Sequence, residues 1–176
     1  MKKNTLEPNF HSMKVGLISD THGYFHPAVQ KHLKNIDEIW HAGDIGSEHV
    51  LHNLETLAPV KAVYGNIDDA DIRRSLPETL IFQVKQIKII ITHIGGYPGK
   101  YAPGIRQMLF KENPDLFICG HSHILKVQND SKFKLLHINP GAAGLQGFHS
   151  VCTLVRFQIT DKIEHLEVVE FPKKRS

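Results

Sequence analysis

Short apolar runs that end in polar, glycine-containing turns recur through the first half of the chain. Each run is too short for a helix and is mostly apolar, which is typical of a buried strand in a parallel sheet. The runs are residues 15–18, 38–41 and 60–64, and their turns are 19–23, 42–44 and 65–68. These three pairs predict three strands, each delivering polar side chains at its carboxyl end.

The segments between these strands have helical spacing. Pro27 stands in the first turn of a helix predicted near 27–35, and apolar residues from Val50 to Leu57 predict a second helix that ends before Pro59. The order is therefore β-α-β-α-β. Sheets built in this way bind their ligands beyond the carboxyl ends of the strands, so we expect the polar turns to meet at one edge.

The second half predicts mostly strands. Two of them lie near 80–84 and 87–92 around a turn at Lys85 and Gln86, a loop spans 95–99, and a helix begins near Ile105 and ends before Pro114. A strand over 116–119 precedes four hairpin-like segments near 124–128, 134–139, 150–157 and 162–169, which we interpret as a meander with one solvated face. The fold class predicted is α/β, with two packed mixed β-sheets flanked by helices.

The length of 176 residues fits one domain, predicted over 13–171. Residues 1–12 are predicted to be an N-terminal extension, disordered or introduced before Met13. Residues 172–176 form a basic tail that accounts for the net charge of +3, so no nucleic-acid surface is inferred. The two cysteines suit a reducing compartment, and neither a signal peptide nor a membrane span is found, so a cytoplasmic location is expected.

Seven side chains that can bind metal ions follow the predicted strands in order. They occur as Asp20-x-His22, Gly43-Asp44, Gly65-Asn66, His93 and Gly120-His121-x-His123. Imidazole combined with carboxylate suits Mn, Fe, Ni or Zn. Seven ligands exceed the needs of one ion, so the set predicts two divalent ions sharing a bridging carboxylate, as in two-metal displacement at phosphorus.

These motifs, in unbroken order, resemble those of the calcineurin-like metallophosphoesterase superfamily, and the compact spacing resembles its small YfcE-type phosphodiesterases. The resemblance covers residue 14 to about 170. It implies one ion held by Asp20, His22, Asp44 and His123, and a second held by Asp44, Asn66, His93 and His121. It further implies a bridging hydroxide as nucleophile, Mn²⁺ as the activating ion, a small phosphate ester as substrate and a homodimer, with Asp44, Asn66 and His93 as catalytic residues.

One position departs from the family pattern. Many members have a histidine after the asparagine that protonates the leaving oxygen, and here Ile67 occupies that position. General acid catalysis contributes about 10²- to 10⁴-fold, so we expect a preference for leaving groups that need no proton. His26, His41 and His149 are candidate replacements.

Other features are open to more than one interpretation. Asp68 is either a residue that orients a metal ligand from outside the centre or a turn residue, and Asn139-Pro140-Gly141 is either a plain turn or part of the site. The remaining histidines are assigned to surface or packing: His11, His32, His49, His52, His137 and His165. The alternative function is a non-catalytic protein-interaction scaffold like the retromer subunit of the same fold.

Overall fold

The computed structural model describes residues 12–174, so the predicted extension over 1–12 lies almost wholly outside the described residues. The helices are α1 (Pro27–His32), α2 (Glu48–Glu55), α3 (Ala70–Ser75) and α4 (Ile105–Glu112). The strands are β1 (Met13–Ile18), β2 (Glu38–His41), β3 (Val60–Ala62), β4 (Thr79–Val84), β5 (Ile87–Thr92), β6 (Gly96–Tyr97), β7 (Lys100–Tyr101), β8 (Leu116–Ile118), β9 (Lys126–Asp130), β10 (Leu135–Asn139), β11 (Val151–Ile159) and β12 (Ile163–Pro172).

Two five-stranded sheets form the centre of the fold. The first has the order β12-β11-β1-β2-β3, with β1, β2 and β3 parallel, and the second has the order β4-β5-β8-β10-β9, with β5, β8 and β10 parallel. The inner faces pack on each other through a core that includes Trp40, Ile89 and Phe157. Helices cover both outer faces, since Val29 and Leu54 pack on the first sheet and Leu109 packs on the second. The predicted α-β-β-α sandwich is confirmed.

The meander predicted for the last four strands is wrong. Strands β9 and β10 belong to the second sheet, where β10 pairs parallel with β8. Strands β11 and β12 belong to the first sheet, where β11 pairs antiparallel with β1. Alternation along a strand shows that one face is buried, but it does not show which sheet the strand joins.

Two smaller differences concern the loops. The segment predicted as a loop near 95–99 is a two-stranded hairpin of β6 and β7, and α1 ends at His32, three residues earlier than predicted. The acidic stretch after Asn66 begins α3, whose amino-terminal N–H groups are capped by the side chain of Asp69. Within residues 12–174, no helix is long and apolar enough to cross a membrane.

Candidate metal centre

The carboxyl ends of four strands, two from each sheet, meet at one edge of the sandwich. Asp20 and His22 follow β1, Asp44 follows β2, His93 follows β5, and the His121 and His123 pair follows β8. Two groups of side chains result, each with its ligand atoms within 4.8 Å of one another. The first group is Asp20, His22 and His123, and the second is Asp44, His93 and His121.

Asp44 lies between the two groups. One of its carboxylate oxygens, Oδ1, is 3.2 Å from Nε2 of His93, and the other, Oδ2, is 3.9 Å from Nε2 of His22. Each oxygen therefore faces a different group. A carboxylate in this arrangement has the geometry of a bridge between two ions.

Buried polar atoms in both groups lack hydrogen-bond partners. Among the described residues, Oδ1 of Asp20 and Nε2 of His93 are buried and have none, although Oδ1 lies 3.1 Å from Nε2 of His123. The atoms are close but are not aligned as donor and acceptor. Because an unpaired buried polar group costs about 1–3 kcal/mol, such convergence fits a shared cation. The imidazole and carboxylate donors therefore fit divalent transition metals.

Asn66 belongs to neither group and, like His121, is exposed. It follows β3 at the rim of the centre, and its backbone carbonyl accepts a hydrogen bond of 2.8 Å from Arg73. The next residue, Ile67, donates its backbone N–H to Oδ1 of Asp44 at 3.1 Å. The turn that carries Asn66 is thus joined to the central carboxylate, while its side-chain amide remains a predicted ligand.

Electrostatics differ between the imidazoles of the first group. Burial lowers the pKa of His22, whereas the adjacent carboxylate of Asp20 raises the pKa of His123. In the second group burial acts to raise the pKa of Asp44, but the His93 ring and the Ile67 amide outweigh it and hold that pKa below its usual value. Asp44 is therefore ionised at neutral pH, as a metal ligand must be.

The backbone of the centre is strained. Among the described non-glycine residues, ten have positive φ, and five of these ten are Asp20, His22, Asp44, His121 and His123. Residues other than glycine, asparagine and aspartate rarely adopt this conformation, which costs about 1–2 kcal/mol per residue. Strain concentrated in predicted ligands marks a functional site.

Three glycines allow the turns to pack against the ligands. A Cβ atom at Gly65 would overlap Oδ1 of Asp44, one at Gly120 would overlap Oγ of Ser19, and one at Gly43 would lie 2.7 Å from the His93 ring. Real Cβ atoms essentially never come so close. These positions therefore require glycine for close approach.

Asp68 supports the turns from below. It is buried, and its carboxylate accepts hydrogen bonds from the backbone N–H groups of Ile45 (3.2 Å), Gly46 (2.6 Å) and Gly65 (2.7 Å). It thus joins the turn after β2 to the turn after β3. Through these bonds Asp68 holds the backbone around Asp44 and does not contact a ligand side chain. Because it joins two turns, its role extends beyond its own turn.

The histidines considered as replacement acids occupy three different environments. His41 is fully buried, accepts from Gly43 N–H at Nδ1, and contacts Thr21 at 2.9 Å through Nε2. His26 caps α1 and contacts the carbonyl of Pro172. His149 donates to the carbonyl of Gly144, and its ring packs 5.5 Å from that of His123. His41 lies behind the centre with both ring nitrogens engaged by Gly43 and Thr21, His26 is engaged at α1, and His149 adjoins His123.

Asn139 is a supporting residue whose role the sequence left open. Its Nδ2 donates to the carbonyl of Gly120 at 2.8 Å and contacts Oγ of Ser122 at 3.1 Å, while its Oδ1 accepts from Gly141 N–H. It therefore fixes the loop that presents His121 and His123. The Asn139-Pro140-Gly141 motif was visible in the sequence, but the sequence did not indicate that Asn139 contacts the loop carrying His121 and His123.

Comparisons with known proteins agree with this geometry. Residues 13–162 match the model of the calcineurin-like phosphoesterase superfamily domain. A probable metallophosphoesterase from Methanothermobacter thermautotrophicus is 32% identical over 135 residues, which cover 74% of this chain and 77% of that protein.

Solved structures show the same fold. An archaeal phosphodiesterase superposes with a TM-score of 0.68 at 25% identity, over 90% of this chain and 100% of its own. Zinc-bound Vps29 from Entamoeba histolytica superposes with a TM-score of 0.65 at 20% identity, over 92% of this chain and 100% of its own. The family model covers most of the sandwich and contains every predicted ligand. The chain belongs to the calcineurin-like phosphoesterase superfamily.

Proposed function

We propose that this chain is a dinuclear metal-dependent phosphodiesterase. The observation that carries the proposal is the position of the Asp44 carboxylate, with one oxygen facing the His93 group and the other facing the His22 group. A carboxylate placed between two clusters of imidazoles is the arrangement that two-metal hydrolysis at phosphorus uses. The archaeal phosphodiesterase of the same fold supports the class of ester.

The residues would divide the work as follows. Asp20, His22, Asp44 and His123 would hold one ion, and Asp44, Asn66, His93 and His121 would hold the other, with Mn²⁺ the expected metal. When bound, such a pair supplies an activated water and neutralises the charge of the phosphate. The carbonyl of Ala42 accepts the Nδ1–H of His93 at 2.8 Å, which fixes the ring so that Nε2 faces the centre.

The proton on the leaving oxygen has no obvious donor at the usual position. Ile67 is 46% exposed at the rim, and its side chain carries no proton to donate. The aryloxide released from an aryl ester is a stable anion and needs no proton, so the chain would favour aryl esters over alkyl esters. The natural substrate would then have a good leaving group or reach another donor.

The test is hydrolysis by protein that has been stripped of metal and then reloaded. With Mn²⁺ added, we expect turnover of bis(p-nitrophenyl) phosphate to exceed that of p-nitrophenyl phosphate, with no turnover before reloading. Asp44→Asn and His121→Ala should each lower kcat/KM at least about 100-fold, since each removes a ligand. The matched control is His52→Ala, an exposed histidine on α2, which should retain wild-type turnover.

The alternative is a protein-interaction role like that of Vps29. The Entamoeba histolytica protein is described in complex with Zn²⁺, so ion binding by itself does not separate the two functions. Turnover does. If calorimetry detects bound ions but neither ester is hydrolysed, the phosphodiesterase function is contradicted and the interaction role is favoured.

A further inference from the structure

A cavity of about 880 Å³ opens beside the candidate metal centre. The hairpin of β6 and β7 forms one wall, and the adjoining ends of β9 and β10 form the other. The loop that carries His121 closes the end nearest the centre, so a molecule in the cavity would lie next to the phosphate position. The volume is within the range of about 300–1,000 Å³ that small-molecule sites occupy.

His137 lies in the lining of this cavity with both ring nitrogens unpaired. It is fully buried, and within residues 12–174 neither Nδ1 nor Nε2 has a hydrogen-bond partner. Burial lowers its pKa to about 4, so the ring is neutral and has one donor and one acceptor nitrogen. Unpaired buried groups cost about 1–3 kcal/mol each, so a ligand that reaches these nitrogens from the cavity would gain free energy by supplying the missing partner.

The aromatic wall facing His137 is fixed in place. The Tyr101 hydroxyl donates to Oδ2 of Asp130 at 2.5 Å, and Nζ of Lys126 lies 5.0 Å from the centroid of the Tyr97 ring. Both contacts tie the hairpin to β9. The Tyr101 hydroxyl is therefore already engaged, while the Tyr97 ring is 43% exposed at the cavity.

The charges in the lining select an anion. Besides His121 and His137, its ionisable side chains are Tyr97, Tyr101, Lys100 and Lys126, with no carboxylate among them. Ile94, Pro103 and Ile124 supply apolar surface. The site thus offers a stacking ring, apolar walls, unpaired nitrogens and two cations near the phosphate position.

We infer that this cavity binds a flat heterocyclic ring, of the nucleobase kind, carried by one ester group of the phosphodiester substrate. Tyr97 would stack on the ring, and His137 would hydrogen-bond to its edge. A hydrocarbon group would leave the His137 nitrogens unpaired, and a sugar alone would offer no flat face to Tyr97. The inference rests on the proposed phosphodiesterase function.

The test uses free adenosine as the probe, with ribose as the matched ligand that lacks the ring. Calorimetry on the Mn²⁺-loaded chain should detect adenosine and not ribose, and adenosine should raise the apparent KM for bis(p-nitrophenyl) phosphate. Tyr97→Ala and His137→Phe should each weaken adenosine binding about tenfold, the effect of losing a stack or a buried hydrogen bond. Phe110→Ala, an exposed aromatic on α4, should not weaken it.

The outcomes separate this inference from the function on which it rests. Hydrolysis without competition by adenosine, or equal adenosine binding in wild type, Tyr97→Ala and His137→Phe, would overturn the ring site and leave the phosphodiesterase standing. Adenosine binding that is lost in both variants, with no metal-dependent turnover, would support the ring site and overturn the phosphodiesterase. Tyr97 is a partly exposed hairpin residue, so its variant remains informative even where His137→Phe disturbs packing.

Discussion

Ile67 is the residue that most restricts the chemistry of the proposed site. Its N–H donates to Oδ1 of Asp44, so its side chain begins beside the central carboxylate, and it is 46% exposed. A histidine there would have room to reach a leaving oxygen. It would need no change in the backbone, since the hydrogen bond to Asp44 uses only the main chain.

We therefore expect Ile67→His to improve hydrolysis of esters with poor leaving groups. A protonated imidazole stabilises a departing alkoxide, so kcat/KM for methyl p-nitrophenyl phosphate should change little while that for an alkyl diester rises at least about tenfold. The measurement is the ratio of the two values across pH, with Ile67→Asn as a polar control that carries no transferable proton. Equal ratios in Ile67→His and wild type would contradict this account of the missing acid.

At the scale of elements, the turns are more constrained than the strands that they follow. Gly65, the first residue of the turn after β3, packs against Asp44, and Asp68 accepts hydrogen bonds from both turns that flank this contact. The strands direct the ligand side chains toward the centre, and the glycines allow the turns to pack close to these side chains. Because no positive φ occurs at Gly65, its requirement for glycine is one of space alone.

Gly65→Ala should accordingly weaken metal binding. The added methyl would displace the Asp44 carboxylate, and we expect Mn²⁺ affinity measured by calorimetry to fall at least about tenfold. The control is Gly104→Ala, where φ is +82° and nothing lies within 4 Å of the added Cβ. That variant should lose about 1 kcal/mol of unfolding free energy from backbone strain and retain metal affinity. If Gly65→Ala kept its Mn²⁺ affinity, the position of the Asp44 carboxylate set by Gly65 would not be required for metal binding.

The sequence predicted some elements better than others for a physical reason. The parallel strands β1, β2 and β3 were predictable because each apolar run ends in a polar turn, and carboxyl ends of parallel strands meet. The pairing of β11 with β1 was not predictable, because it depends on contacts between residues far apart along the chain, such as Leu17 and Val155. The ligands depended only on the predictable turns, whereas the His137 cavity depended on the unpredicted hairpin and on β9.

At the scale of the whole molecule, two buried histidines couple folding to pH. Burial lowers the pKa of His41 and of His137 from 6.5 to about 4. In the unfolded chain both rings bind a proton below pH 6.5, whereas in the folded chain they stay neutral until about pH 4. Their contribution to stability is therefore present above pH 6.5 and is lost as pH falls through this window.

We expect the unfolding free energy, measured by urea titration, to fall between pH 6.5 and pH 4, with each histidine contributing up to about 3 kcal/mol of the loss. His137→Phe removes one of the two groups, so its curve should fall by up to about 3 kcal/mol less. At pH 7 the variant should be as stable as wild type or more so, because it removes two unpaired buried nitrogens. Parallel curves for the two proteins would contradict the lowered pKa of His137, because they would mean that the ring binds its proton as readily in the folded chain as in the unfolded one.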